Sequence, residues 1–503
     1  MMPGLGRARK ARLAFDHDLT LAAVFDRLAE TGGDQVLVDE QDGDVRTLAD
    51  AADQVARWAG GLEGEIEPGG IVVVATPNGY DQLLLCAAVS RAGGLPAPVN
   101  DRLRPDEIDH IVADAGATLV LRSAADVPAG GSRIDTAPDL DAKGVGAVFY
   151  TSGTTGRPKG AELSHRALVG QMNRMALVPG GLGRHEAVFS LPMAHIMGFV
   201  VALGLAYAHI PARFLPRFRA EAILDEIEER RASVFVGVPT MYRMLLDAGA
   251  EDRDLTSVRV WISGADAMPS ELADRFSRMG ALATLPGGRT VGRALFAEGY
   301  GMVETGGSGA LKLDLPGLPD SVRRLGVPVP GYKTRVVGED GAEVARGQVG
   351  ELQLSGPGVL KGYRGAEDAT GDLFTDDGWL RTGDLVRRGP LGAFAFEGRA
   401  KDIIVRGGYN VYAVEVEQAL ERHDAVAEAA VVGLPDDRLG EVPVAAVRLC
   451  PGATAEPEEI RAFAQEQLSS YKVPSEVLIV DELPQSGTRK VQRAEVRDLF
   501  TDD

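Results

Sequence analysis

Cysteine is nearly absent from this 503-residue chain, which has only Cys86 and Cys450. Two distant cysteines make neither a metal knuckle nor a disulfide framework. Both sit in apolar sequence ("LLLCAAVS", "AAVRLCPG"), which suits small buried side chains and a reducing, cytoplasmic compartment. Positive charge is also scarce: 53 Lys and Arg stand against 73 Asp and Glu, a net charge of −20. Nothing in that balance neutralises a phosphate backbone, so no nucleic-acid partner is expected. An anionic small molecule would need a locally positive pocket. Long hydrophobic runs are missing too. The longest, "IMGFVVALGLAYA", is broken by glycine and too short to span a bilayer, so no membrane insertion is expected. The basic start, "MMPGLGRARKARLAFDHDLT", leads into no apolar segment, and no secretory signal is expected. No period of solenoid length repeats.

What is present is alternation. "IVVVATPNG" reads as a buried strand stopped by a turn, "YDQLLLCAAVSRAGG" as a helix closed by glycines, and "LPAPVN" and "TLVLRS" as further strands. The pattern resumes with "AVFSLP", "ILDEIEERRA", "SVFVGVP", "TMYRMLLDAG" and "SVRVWISGAD". Such order predicts an α/β fold with parallel sheet covered by helices. Near Gly331 the period becomes two, with Gly and Asp turns, which predicts a small antiparallel barrel or sheet over about 325–398. The last hundred residues carry helices and strands enough for a separate α+β unit. The expected division is 1–398, a hinge at 399–402, and a mobile domain over 403–503.

The stretch "YTSGTTGRPKGAELSHRAL", Tyr150 to Leu168, packs hydroxyls and glycines beside Lys159. It fails the G-x-x-x-x-G-K-[ST] pattern of the P-loop. Between a strand and a helix it can still wrap phosphate oxygens, because backbone N–H groups and hydroxyls donate and the lysine adds charge. This string resembles the signature phosphate loop of the acyl-adenylate-forming family: acyl-CoA synthetases, adenylation domains of nonribosomal peptide synthetases, and luciferases.

Five more segments carry the resemblance, over nearly the whole chain. On that basis Thr151, Ser152, Gly153, Thr154, Thr155, Gly156 and Lys159 form the ATP loop. "EGYGMVETGG" implies that Tyr300, Gly301 and Met302 border the adenine and that Glu304, with Thr155, holds Mg2+. It also implies that Thr305 contacts the α-phosphate. "GWLRTGDLVRR" implies Asp384 as the ribose acceptor, and "SGADAM" places Ser263, Gly264, Ala265 and Asp266 beside the acyl group and adenine. "EGRAKDIIVRGGYNVY" implies Arg399 at the ribose, Lys401 at the hinge, and Gly407 and Gly408 along the path of coenzyme A. "ELPQSGTRKVQRAEV" implies Lys490 as the catalytic lysine. Arg489 stands before it where the family commonly has glycine. The implied activity is an AMP-forming acid–thiol ligase using ATP, Mg2+ and coenzyme A.

For the acid, "LPMAHIMGF" puts His195 in a pocket or gating position, with Ile196, Met197 and Met302 as further pocket candidates. No aspartate stands there for an α-ammonium, which argues against an amino acid. In "GVPTMYRMLLDAG", Arg243 interrupts an apolar segment. An arginine after Pro-Thr-x-Tyr resembles malonyl-CoA synthetases. A second carboxylate in an apolar pocket needs such a fork. Malonate or methylmalonate is therefore the expected substrate, with Arg289 and Arg293 as further candidates for the carboxylate partner. The alternatives are a short or aromatic monocarboxylate, with Arg243 on the surface, and a nucleotide-binding protein impaired by Arg489.

Overall fold

A computed structural model describes residues 3–501, other than 42, 44, 152–157, 179–184, 315–325 and 486–490. Most of the apolar alternation becomes one nine-stranded sheet. Its central strands, Leu295–Tyr300, Val260–Gly264, Val234–Gly237, Ala187–Phe189, Ala212–Phe214 and Val36–Glu40, run parallel in that spatial order. Antiparallel strands close both edges. A second parallel sheet joins Leu95–Pro98, Ile71–Val74 and Leu119–Leu121. The β-branched run Ile71–Val74 is buried throughout, as a strand covered on both faces must be.

The apolar run Ile196–Ala208 is an internal helix, buried at eleven of its thirteen positions. Among the described residues no helix is long and apolar enough to cross a membrane. Aromatic residues are few but concentrated. Phe235, Tyr242, Trp261 and Phe276 meet edge-to-face beneath the helix Pro239–Asp247. Met241, Tyr242 and Leu245 form that helix's buried face, which turns Arg243 to another side.

The period-two region forms a four-stranded antiparallel sheet in the order Lys333–Val337, Val349–Ser355, Leu380–Arg388, Phe394–Arg399. Among the described residues no pairing joins its outer strands, so it is an open sheet rather than a closed barrel. After a turn at Ala400–Asp402, a second body follows: a sheet built on the long antiparallel pair Val426–Asp436 and Gly440–Leu449, with the helices Ala413–Leu420 and Pro457–Gln467.

Candidate active site

The carboxyl ends of Val260–Gly264 and Leu295–Tyr300 open into a cleft of about 1400 Å³. Ligands of open parallel sheets bind at such ends. One small molecule needs roughly 300–1,000 Å³, so this cleft has room for a nucleotide and an acid together. Of the expected residues, Thr151, Lys159, His195, Ser263, Gly264, Ala265, Tyr300, Gly301, Met302, Glu304 and Arg399 line it. Ser152, Gly153, Thr154, Thr155, Gly156, Arg489 and Lys490 lie outside the described residues.

At one end, polar side chains fix one another. The Tyr300 hydroxyl donates to Asp384 Oδ2 at 2.6 Å, and Arg399 Nε lies 3.1 Å from Asp384 Oδ1. Asp384 is 4% exposed and lies behind the cleft lining, in contact with two residues that do line it, Tyr300 and Arg399. Burial, together with the Asp384 charge and hydrogen bond, pushes the Tyr300 phenol well up, so it remains a donor. Although burial opposes it, the Asp384 charge helps keep Arg399 above the usual guanidinium range. Thr305 is fully buried, and its Oγ1 accepts from the Met302 N–H at 3.0 Å. Gly301 has a steric reason, since a Cβ there would lie 2.5 Å from the Gly307 backbone. Ala265 holds φ +68°, a conformation disfavoured for alanine, at the cleft wall.

Glu304 is nearly buried and accepts from the Tyr363 hydroxyl at 2.5 Å. Lys159 Nζ stands 5.4 Å from the centre of the same ring. Tyr363 belongs to no expected motif; only the fold, which pairs Gly362–Tyr363 with the strand Lys159–Ser164, delivers it. Mg2+ takes one or two carboxylates and completes its octahedron with phosphate and water. Glu304 beside a cationic phosphate region fits that requirement. Lys159, Arg381 and Arg399 supply the local positive charge that the chain's net charge made necessary.

The rest of the lining is mixed, with Arg166, Gln171 and Arg174 among apolar side chains. The apolar ones include Met172, Met175, Met197, Val200, Val236 and Ile262. His195 caps the helix Ile196–Ala208, its Nδ1 accepting from the Met197 N–H at 3.2 Å, so a neutral ring carries its proton on Nε2. The buried hydroxyls of Ser263 and Ser308 also line the cleft, and among the described residues neither has a hydrogen-bond partner.

The expectation for Arg243 is corrected. It does not line the large cleft; it bonds Glu421 at 2.6 Å and lies 3.4 Å from Glu428, both in the C-terminal body. Nor does it pair with Asp247, which faces Arg448 at 3.2 Å. Arg289 and Arg293 are exposed around a small hairpin and also stand outside the cleft lining. Gly407 and Gly408 form the two-residue turn between Ile403–Arg406 and Tyr409–Tyr412 with φ of +59° and +85°, which alone calls for glycine. Lys401 lies in the turn between the bodies. Gln492, from the C-terminal body, reaches the cleft and was not among the expected residues.

The AMP-binding enzyme family matches residues 24–364, and the AMP-binding enzyme C-terminal domain matches 415–490. The chain is 33% identical over 482 residues to a feruloyl-CoA synthase of an Amycolatopsis species, covering 91% of this chain and 94% of that protein. It is also 33% identical over 462 residues to a sulfoacetate–CoA ligase of Cupriavidus necator, covering 84% and 86%. Among solved structures it resembles ATP-bound MatB from Rhodopseudomonas palustris, with a TM-score of 0.83, 30% identity, and 96% and 99% of the two chains covered. Against apo MatB, at the same identity and coverage, the TM-score is 0.75.

Proposed function

We infer the substrate of this chain from one premise: it belongs to the AMP-binding enzyme family and is an AMP-forming acid–thiol ligase that uses ATP, Mg2+ and coenzyme A. The proposed acid is a monocarboxylate of aromatic size that carries a polar substituent. The observation that carries this reading is the breadth of apolar lining: thioethers and β-branched side chains line much of the cleft, while Arg243 is committed elsewhere. Arg166 and Arg174 also line the cleft, so a second carboxylate would have to reach one of them, since among the apolar side chains alone it would cost several kcal/mol. Ser263 and Ser308 can serve a hydroxyl or ether on the acid. The likeness to a feruloyl-CoA synthase supports the same class. A second reading, malonate or methylmalonate, is supported by the likeness to MatB, a malonyl-CoA synthetase.

Catalysis is positioning and charge stabilisation. The acid's carboxylate oxygen bonds to the α-phosphorus of ATP, and the bond to the bridging oxygen breaks to release pyrophosphate. Asp384 and Arg399 hold the ribose, Tyr300 borders the adenine, and Thr305 contacts the α-phosphate. Lys159 and the loop around it meet the departing pyrophosphate. The role implied for Lys490 is to neutralise the charge developing between carboxylate and phosphate. Mg2+, when bound, neutralises phosphate charge, and Glu304 is the carboxylate suited to hold it. The C-terminal body then turns about Lys401, the thiolate of coenzyme A bonds to the acyl carbon, and AMP leaves.

The test is an acid panel with ATP, Mg2+ and coenzyme A, thioesters read by mass spectrometry: ferulate, coumarate, benzoate, butyrate, malonate and methylmalonate. The aromatic acids should exceed malonate by more than about tenfold in kcat/KM. Dominant malonyl-CoA would select the second reading. Tight ATP binding with no thioester from any acid would select the impaired nucleotide-binding protein.

A further inference from the structure

The two bodies share no apolar core: each hydrophobic cluster of the described residues lies wholly before residue 397 or wholly after residue 403. What meets across the seam beside the helix Pro239–Asp247 is charge. Arg243 Nη2 donates to Glu421 Oε1 at 2.6 Å, its Nη1 lies 3.4 Å from Glu428 Oε1, and its Nε donates to the Ala427 carbonyl at 3.2 Å. Arg448 answers from the other side, 3.2 Å from Asp247 and 3.7 Å from Glu428. The arginine side chains are 13% and 17% exposed, and Glu421 and Glu428 only 12% and 5%.

We propose that these five residues form a clasp that positions the C-terminal body for the ATP-consuming half-reaction, with Arg243 as its pivot. The proposal rests on the two-step reading above and adds a positioning residue to it. Three observations carry it. First, buried ion pairs add little net stability but tolerate few geometries, because a displaced partner leaves a charge buried and unpaired. Such a contact suits an orientation that must be defined and then given up. Second, the clasped orientation brings Gln492 to the large cleft, and the whole chain is more similar to ATP-bound than to apo MatB. Third, a cavity of about 410 Å³ lies between the bodies at the clasp, lined by Arg243, Asp247, Glu421 and Cys450. Opening the seam there breaks no continuous apolar packing.

The charges also make the clasp sensitive to pH. Glu421 faces Arg243 from the large body, Glu417 on its own helix and Glu428 on the adjoining strand; Asp247, Asp266 and Arg448 complete the surroundings. Burial, against the Arg243 charge and with the two glutamates, pushes Glu421 up to about 7. Its ionised form, the form that grips Arg243, is complete above that pH and lost below it. As pH falls through about 7 the ion pair gives way to a hydrogen bond with a neutral acid. Because burial in the clasp raises the proton affinity of Glu421, protonation weakens the charge pairing without by itself favouring an open seam.

The test separates the half-reactions. Acid-dependent ATP–pyrophosphate exchange reads the first; thioester formation from supplied acyl-adenylate and coenzyme A reads the second. Arg243→Met should lower exchange about tenfold, leave the KM for ATP within about twofold, and leave thioester formation unchanged or faster. Glu421→Gln keeps an acceptor for the Ala429 N–H and is the gentler variant should Arg243→Met fail to fold. It should lower exchange less and remove an exchange inflection near pH 7. The reversed pair, Arg243→Glu with Glu421→Arg, should recover exchange. Independently of activity, spin labels at the exposed Glu229 and Glu466, in a Cys450→Ala background, report the distance between the bodies. Arg243→Met should broaden that distribution and the reversed pair should narrow it. An unchanged distribution, or equal loss in both half-reactions, overturns the clasp. If no acid supports exchange in the wild-type protein, the two-step reading fails instead, and the distance measurement still decides whether the clasp positions the body.

Discussion

At the nucleotide end of the cleft, Tyr300, Asp384 and Arg399 hold one another at 2.6 and 3.1 Å. At the acyl end, Met172, Met175 and Met197 pack against the core by dispersion alone. The first arrangement is directional. Each partner needs a particular donor or acceptor at a particular place, so each position admits few residue types. The second depends on volume and polarity, and many apolar combinations satisfy it equally. A chain can therefore keep the first end while the second drifts from one acid to another.

The largest effect should come from the directional end. Asp384→Ala removes the acceptor shared by Tyr300 and Arg399 and leaves a half-buried guanidinium without that carboxylate. The Arg399 side chain is 42% exposed and partly screened by solvent, and a hydrogen bond to a charged group contributes about 1.5–3 kcal/mol. Exchange should fall about a hundredfold or more, equally for every acid. A loss that differs between acids would break the comparison, because Asp384 would then be reporting on the acyl end.

The acyl end should respond selectively. Gly204 lies in the helix Ile196–Ala208 and lines the cleft, and a Cβ there would meet only Met172 and Met175 at 3.8–4.0 Å. Glycine inside a helix costs about 1 kcal/mol relative to alanine, so space for the acid is the reason for it that fits the site. Gly204→Leu should lower kcat/KM for aromatic acids by about 10–100-fold and leave butyrate and the KM for ATP nearly unchanged. Equal loss with butyrate would mean that Gly204 borders no part of the acid's site.

The same contrast explains what could be read without a structure. The strands Ile71–Val74, Val234–Gly237 and Val260–Gly264 followed from β-branched runs, and the helix Tyr80–Arg91 from its closing glycines. Strings of fixed chemistry singled out Lys159, Tyr300, Glu304 and Arg399, and the fold brings these four to one cleft. Arg243 did not, because sequence shows that an arginine breaks an apolar segment but not which way it faces. Its direction is set by Tyr242 entering the aromatic cluster and by Glu421 and Glu428, about 180 residues away. Tyr363 was hidden for a similar reason: its role depends on strand pairing between distant segments. The open sheet over Lys333–Arg399 shows the limit of periodicity, which gives strands and their faces but not whether the edges meet.

Tyr363 allows the finest test. Its hydroxyl donates to the Glu304 carboxylate at 2.5 Å, and its ring lies beneath Lys159. Tyr363→Phe keeps the ring, and with it the contact to Lys159, but leaves Glu304 without that donor. A partner that orients a metal-binding carboxylate typically contributes about 10–100-fold in metal affinity or activity. One hydrogen bond to a carboxylate belongs at the lower edge of that range. The Mg2+ concentration for half-maximal exchange should therefore rise about tenfold, with the KM for the acid unchanged. A shift in the KM for the acid instead would place Glu304 at the boundary between the two ends, and the division of the cleft would have to be redrawn through Tyr363.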